Sequence, residues 1–288
     1  MVLENLSEIR DRIRYHLDRH VLLGSFQPQV EAAKYVVLNK SANLWRPLLT
    51  IAAARDYNVD LERAIPLSSV VELVHAASLI ADDIADKAHF RRGEKSCHVQ
   101  FGNNLAHLTQ LYLVEKVYDV LLNGNLDLED KQRMAIARLA PQSGLDMIWG
   151  QTKDVMQIEL RTPEQVLRMY EEKSGALIGL ALACGGILGN ADEEDVNTLR
   201  KLGIAIGVSY QISDDVLDSL ACPTETGKPG RQDEQKRTLL KLVGLDGARD
   251  LKSAKDAEAE NLLDLLDIDP KSLRKVMTHL RQRHNKYF

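Results

Sequence analysis

The sequence predicts an all-α protein. Helical periodicity is nearly continuous along its 288 residues, and no convincing run of β-branched alternation bounded by turn residues interrupts it. Hydrophobic residues make up 44% of the chain, enough to bury a large core. No low-complexity linker or fixed-period repeat divides the sequence, so a single domain over residues 1–288, a bundle of long helices, is the economical expectation.

The periodicity places helices, in order, at Leu6–His20, Val30–Leu38, Arg46–Tyr57, Leu61–Lys87, Leu105–Leu122, Asp130–Glu159, Pro163–Leu188, Asp192–Cys222, Leu239–Leu242, Asp246–Leu266 and Pro270–Asn285. Asn123-Gly124-Asn125 ends the fifth. Thr162 before Pro163 reads as an N-cap followed by a first-turn proline. Asp192-Glu193-Glu194 puts negative charge where a helix start favours it, and Gly227-Lys228-Pro229-Gly230 reads as a loop.

Composition narrows the function classes. A net charge of −5 favours neither nucleic acid nor an anionic membrane as partner. Cys97, Cys184 and Cys222 are odd in number and widely spaced, with no metal-ligand or disulfide pattern, which fits a reducing cytoplasm. The first residues lack an apolar signal core. The longest apolar stretch, Ala176 to Leu188, is interrupted by glycines and too short to span a bilayer, so no membrane span is expected.

Two acidic clusters carry the chemistry. Asp82-Asp83-Ile84-Ala85-Asp86 and Asp214-Asp215-Val216-Leu217-Asp218 both read D-D-x-x-D, and each ends a long apolar helical run. Asp82 and Asp86, like Asp214 and Asp218, are four apart and share a helix face. One such cluster is explained by a solvated helix end. Two matching clusters on apolar helices call for cations, and hard carboxylate oxygens suit Mg²⁺ and a phosphate-rich substrate if the two patches face each other. Arg91-Arg92-Gly93 follows the first cluster, and adjacent guanidinium forks suit diphosphate oxygens. Lys228 and Lys236 follow the second. Lys173 opens a glycine-spaced apolar stretch, which raises its standing above that of a solvated surface lysine.

These residues resemble the trans-isoprenyl diphosphate synthase, or polyprenyl synthetase, family. The resemblance rests on D-D-x-x-D-x-x-x-x-R-R-G at Asp82–Gly93, Arg46-Pro47-Leu48-Leu49, Phe101-Gly102, Gly150-Gln151-x-x-Asp154, Lys173-Ser174-Gly175-Ala176-Leu177 and Tyr210-Gln211-Ile212-Ser213 leading into the second cluster. It implies long helices around a deep central cavity, usually as a homodimer, and three Mg²⁺ ions per site, two held by Asp82 and Asp86 and the third by Asp214. Asp83, Asp215 and Asp218 would support them. It assigns the allylic diphosphate to Arg91, Lys173 and Lys228, with Lys236 nearby, and isopentenyl diphosphate to Arg46, His75 and Arg92. Gln211 would lie by the reacting carbons.

The resemblance also makes Ala77 and Ser78 the floor of an elongation tunnel, ~6–8 Å along the helix from Asp82. Both are small, which favours a geranylgeranyl (C20) product, with farnesyl or longer chains as alternatives. The pattern departs at Asn43, where the family usually has a lysine, at Gln110-Leu111 and Ala221-Cys222 in place of Gly-Asp pairs, and at Ala81. Those departures fall mostly on the acceptor side and bring an unusual acceptor into view. Three further readings compete: a class I terpene cyclase, which the second D-D-x-x-D disfavours; a non-catalytic or regulatory subunit, which six retained aspartates disfavour; and a metal-dependent phosphohydrolase, disfavoured by the lack of strands.

Overall fold

The computed structural model describes residues 5–24, 27–124, 126–220 and 239–282, excluding the side chains of Asp218 and Leu220. The expected loop at Gly227–Gly230 lies outside them. The helices are α1 (Leu6–His16), α2 (Pro28–Val37), α3 (Trp45–Asp56), α4 (Leu61–Ala85), α5 (Cys97–Phe101), α6 (Asn103–Asn123), α7 (Asp130–Val155), α8 (Pro163–Tyr170), α9 (Ala176–Leu188), α10 (Glu193–Leu220), α11 (Leu239–Asp264) and α12 (Lys271–Gln282). An all-α fold is therefore what these residues adopt.

Most boundaries fall within a few residues of expectation, and the differences have local causes. The stretch expected as one helix over Pro163–Leu188 is helical throughout but passes through a π turn at Glu171–Gly175. A second π turn, Leu17–Val21, extends α1. Leu239–Leu242 and Asp246–Leu266, expected as two helices, form α11, kinked at Gly244 with φ +70°. Phe90–Arg91 (β1) and Glu94–Lys95 (β2) pair as a two-residue antiparallel hairpin, too short to leave an alternating signature. Thr162 does cap α8: its side chain accepts from the Gln165 N–H, and the Gln165 side chain accepts from the Thr162 N–H, a reciprocal capping box.

The described contacts divide into two compact units, one of residues 1–138 with 184–191, the other of residues 139–183 with 192–288. In the first, α4 packs against α3 and α6. Its apolar residues run round the helix, so Ala64, Leu67, Val71, Leu73, Ala76 and Ile80 are all buried. By length and composition α4, and not the Ala176–Leu188 stretch, is what could cross a membrane. Its apolar window is 67% buried within the protein, which is the behaviour of a core helix.

In the second unit, α8, α10 and α11 enclose a core of Val166, Met169, Val208, Ile212, Val216 and Leu239. Glycines set how closely the π turn, α9 and α10 approach. A Cβ on Gly207 would meet the Gly175 Cα at 2.5 Å, and one on Gly203 would meet the Gly179 Cα at 2.5 Å. Only a bare backbone fits at that separation, and it brings Ser174 of the π turn against Gln211 of α10.

Candidate active site

In the first unit, the acidic cluster sits on the last turn of α4. Asp83 is 3% exposed, while Asp82 and Asp86 are half-buried. Arg91 reaches back from β1: its Nε donates to Asp83 Oδ1 at 2.7 Å and its Nη2 to Asp82 Oδ2 at 3.0 Å. The hairpin makes this possible. Arg92 and Gly93 form its two-residue turn with φ +56° and +82°, the left-handed pair that matches strand twist and that glycine adopts without penalty. The Arg-Arg-Gly string is thus a turn that aims one arginine at the aspartates. Burial pushes the Asp83 carboxyl up, opposed by the hydrogen bond and charge of Arg91. Although burial opposes the charged form of Arg91, the bonds to Asp83 and Asp82 raise its pKa overall.

A second group lies along the same helix. Arg46, in the first turn of α3, donates from Nη1 to His75 Nε2 at 3.1 Å. Since a guanidinium can only donate, Nε2 must accept, and the His75 proton sits on Nδ1. Burial, followed by the positive charges of Arg46, Arg92 and Arg91, holds the imidazole well below its ordinary pKa, so His75 is neutral near pH 7. Its Nδ1 is buried without a hydrogen-bond partner among the described residues. Ala77 is buried, and Ser78 turns its hydroxyl onto the His75 carbonyl at 2.7 Å, leaving that position small and internally satisfied.

The loop entering α3, where the sequence departs at Asn43, is held by α1. Arg10 Nε donates to the Asn43 carbonyl at 2.8 Å, and Arg14 Nη2 to those of Ala42 at 2.8 Å and Lys40 at 3.2 Å. The Arg10 guanidinium also lies 5.2 Å from the Trp45 ring centroid. Sequence reasoning missed both arginines, because contacts across 26–33 residues leave no spacing signal.

In the second unit, Asp214 and Asp215 lie on α10 and are half-buried. Tyr170, at the end of α8, gives a short hydrogen bond to Asp215, and Gln211 Nε2 donates to Asp215 at 3.3 Å. Burial, then the charge of Asp215, drive the Tyr170 phenol far above its ordinary range, so it stays a donor. Ser174 donates to Gln211 Oε1 at 2.7 Å, fixing which way that amide faces. Lys173, inside the π turn, is ion-paired with Asp154 at 2.5 Å. Gly150 allows this: a Cβ there would lie 2.3 Å from the Lys173 backbone nitrogen. The sequence string that holds Gly150 and Asp154 is therefore the seat of Lys173, a role that spacing did not reveal. Asp218, Lys228 and Lys236 fall outside the described side chains.

All the carboxylates named here offer hard oxygen donors of the kind Mg²⁺ takes. Among the described residues, no three His, Cys, Asp or Glu side chains already stand close enough to cage one ion. The donor chemistry fits magnesium held partly by substrate oxygens and water, as is usual for that ion, rather than by an all-protein cage.

An all-α chain with two D-D-x-x-D helix ends, an arginine hairpin on the first and a lysine π turn in the same unit as the second, has the parts of a prenyltransferase. The polyprenyl synthetase family profile matches residues 27–280, and the chain belongs to that family. A chloroplastic geranylgeranyl pyrophosphate synthase of Arabidopsis thaliana is 31% identical over 269 residues, 88% of this chain and 74% of the relative. A farnesyl diphosphate synthase of Bacillus subtilis is 31% identical over 232 residues, 77% of this chain and 78% of the relative. The crystal structure of a Helicobacter pylori geranyltransferase complexed with magnesium and isoprenyl diphosphate superposes with a TM-score of 0.83 at 26% identity, covering 99% of this chain and 100% of that one. The protein is accordingly a transferase of isoprenoid biosynthesis that makes linear isoprenyl diphosphates.

Proposed function

We propose that this chain condenses isopentenyl diphosphate with an allylic diphosphate in a magnesium-dependent reaction, with a C20 product favoured. The observation that carries the residue roles is the separation of two basic groups along α4. Arg91 is committed to Asp82 and Asp83, whereas Arg46 of α3 pairs with a neutral His75 about two turns earlier on α4. The first group serves the allylic diphosphate and the second the acceptor diphosphate, together with Arg92.

Asp82 and Asp86 are assigned two of three magnesium ions and Asp214 the third. Bound there, the metal supplies positive charge to the departing diphosphate. Arg91 and Lys173 add fixed donors to that group, each exchanging a carboxylate partner, Asp82 or Asp154, for phosphate oxygen. Lys228 and Asp218 are assigned supporting roles, and Lys236 is assigned to diphosphate binding. As the allylic C–O bond breaks, the acceptor double bond attacks the carbon and a proton is lost to the released diphosphate. Gln211, oriented by Ser174, lies beside the reacting carbons. Apolar walls exclude the water that would quench the cation.

The chain works as a cytoplasmic homodimer in this reading. α6 supplies a surface for it, since Leu108, Leu111, Val114 and Leu122 are all exposed on one helix. Asn43 removes a charged contact from the acceptor side, worth roughly 1.5–3 kcal/mol, so weaker acceptor binding is the expected consequence.

The test is a panel of dimethylallyl, geranyl and farnesyl diphosphates, each with isopentenyl diphosphate, and a mass-spectrometric carbon count of the products. A C20 endpoint from every starter supports the reading, and a C15 endpoint refutes the product assignment. Ala77 sits buried five residues before Asp82. Ala77→Phe should therefore shorten the main product by at least one five-carbon unit, and an unchanged product would remove Ala77 from the tunnel floor.

A further inference from the structure

Glu72 is a carboxyl that the reaction as described does not use. It lies on α4 one turn before His75, is 1% exposed, and has an Oε2 without a hydrogen-bond partner among the described residues. A charged side chain this deep is uncommon unless paired. Among the described residues, the charges acting on it are guanidinium groups from three different segments, Arg92 in the hairpin turn, Arg46 on α3 and Arg14 on α1, and Arg46 is held one turn away by its bond to His75. On its own helix, His75 is neutral and adds no charge. Two of the three arginines are those assigned above to the acceptor diphosphate.

We propose that Glu72 is a proton-linked positioning residue of the acceptor subsite: protonated, it leaves Arg46 and Arg92 to the diphosphate, and ionised, it competes for them as an internal counter-ion. The inference rests on the assignment of Arg46 and Arg92 to the acceptor.

The physical case has two sides. Burial disfavours the carboxylate and the three arginines favour it, and burial prevails, pushing the Glu72 carboxyl up to about 7. An acceptor diphosphate bound at Arg46 and Arg92 would bring further negative charge, which disfavours the carboxylate again. Binding of the acceptor and ionisation of Glu72 therefore oppose each other, and linkage requires acceptor affinity to fall as pH rises through the neutral range. The sign for stability is the same. A buried carboxyl raised above its unfolded value holds its proton in the folded state, so stability is lost as pH rises from the ordinary glutamate range through 7.

The experiment measures KM for isopentenyl diphosphate and for the allylic substrate at pH 6 and pH 8, in the wild type, Glu72→Gln and Arg46→Lys. In the wild type the acceptor KM should rise roughly tenfold between the two pH values, the limit for binding tied to a group that titrates near 7, while the allylic KM does not follow. In Glu72→Gln the pH 8 to pH 6 ratio of acceptor KM should collapse to about one. Thermal melting gives a second readout independent of turnover: the wild type should lose stability relative to Glu72→Gln on going from pH 6 to pH 8. A tenfold ratio that persists in Glu72→Gln overturns the proposal, as does a wild-type ratio near one. If Arg46→Lys leaves acceptor KM unchanged, the acceptor assignment itself has failed; if Arg46→Lys raises it while Glu72→Gln keeps the wild-type ratio, Glu72 alone has been misread.

Discussion

Asp82→Asn should lower kcat/KM by about a thousandfold, ~4 kcal/mol of transition-state stabilisation, while leaving the fold intact. Asp82 is half-buried, and Arg91 reaches it with a 3.0 Å bond that an asparagine oxygen can still accept. Arg91 keeps its Nε bond to Asp83 when Asp82 is neutralised, so the hairpin stays docked. The lost charge belongs to the group that would hold the metal and face the departing diphosphate. Asp83→Ala should behave oppositely in stability. Asp83 is 3% exposed, and its removal takes away the partner of Arg91 Nε and leaves that half-buried guanidinium the Asp82 bond alone, so a loss of about 1–3 kcal/mol is expected. Steady-state kinetics and thermal melting of the two variants separate the roles. An Asp82→Asn enzyme with near wild-type kcat/KM would remove Asp82 from the chemistry.

Gly150→Ala should destabilise the protein by about 1–3 kcal/mol and impair turnover, whereas Gly144→Ala, on the same helix, should stabilise it by about 0.5–1 kcal/mol. A Cβ at Gly150 would stand 2.3 Å from the nitrogen and 2.7 Å from the Cα of Lys173, and backbone cannot swing aside as a side chain tip can. None of the described residues lies within 4 Å of the corresponding position at Gly144, so alanine there merely reduces the freedom of the unfolded chain. The consequence at Gly150 extends to chemistry, because the displaced residue carries the ammonium paired with Asp154. Denaturant melts of the pair, with kcat for each, check this. Equal stability changes at the two glycines would mean that the π turn yields freely.

Much of the candidate site was legible because its signals are local. The aspartates repeat at helical spacing, and Arg91-Arg92-Gly93 is a turn string that the structure turns into a two-residue hairpin. The helices follow from apolar periodicity, and Thr162-Pro163 marks a start that the capping box confirms. What stayed hidden depends on separation in sequence. Tyr170 meets Asp215 across 45 residues, and Arg14 meets the loop before α3 across 26 and 28. Glu72 reads as one polar residue in an apolar run, and only its burial within the field of three arginines makes it conspicuous. The π turn at Glu171–Gly175 was invisible for a different reason. A single widened turn barely disturbs the apolar period, yet it is where Lys173 and Ser174 are placed.

The central claim is that both acidic helix ends take part in one metal-assisted departure of diphosphate from an allylic substrate. The most direct measurement is incorporation of isopentenyl diphosphate by the purified chain alone, stripped with EDTA and then resupplied with Mg²⁺, in the wild type, Asp82→Asn and Asp214→Asn. Incorporation that needs the allylic partner, returns with Mg²⁺ and collapses in both variants is the predicted result. Full incorporation in either variant, or a hydrocarbon released from the allylic diphosphate with no acceptor consumed, would contradict it.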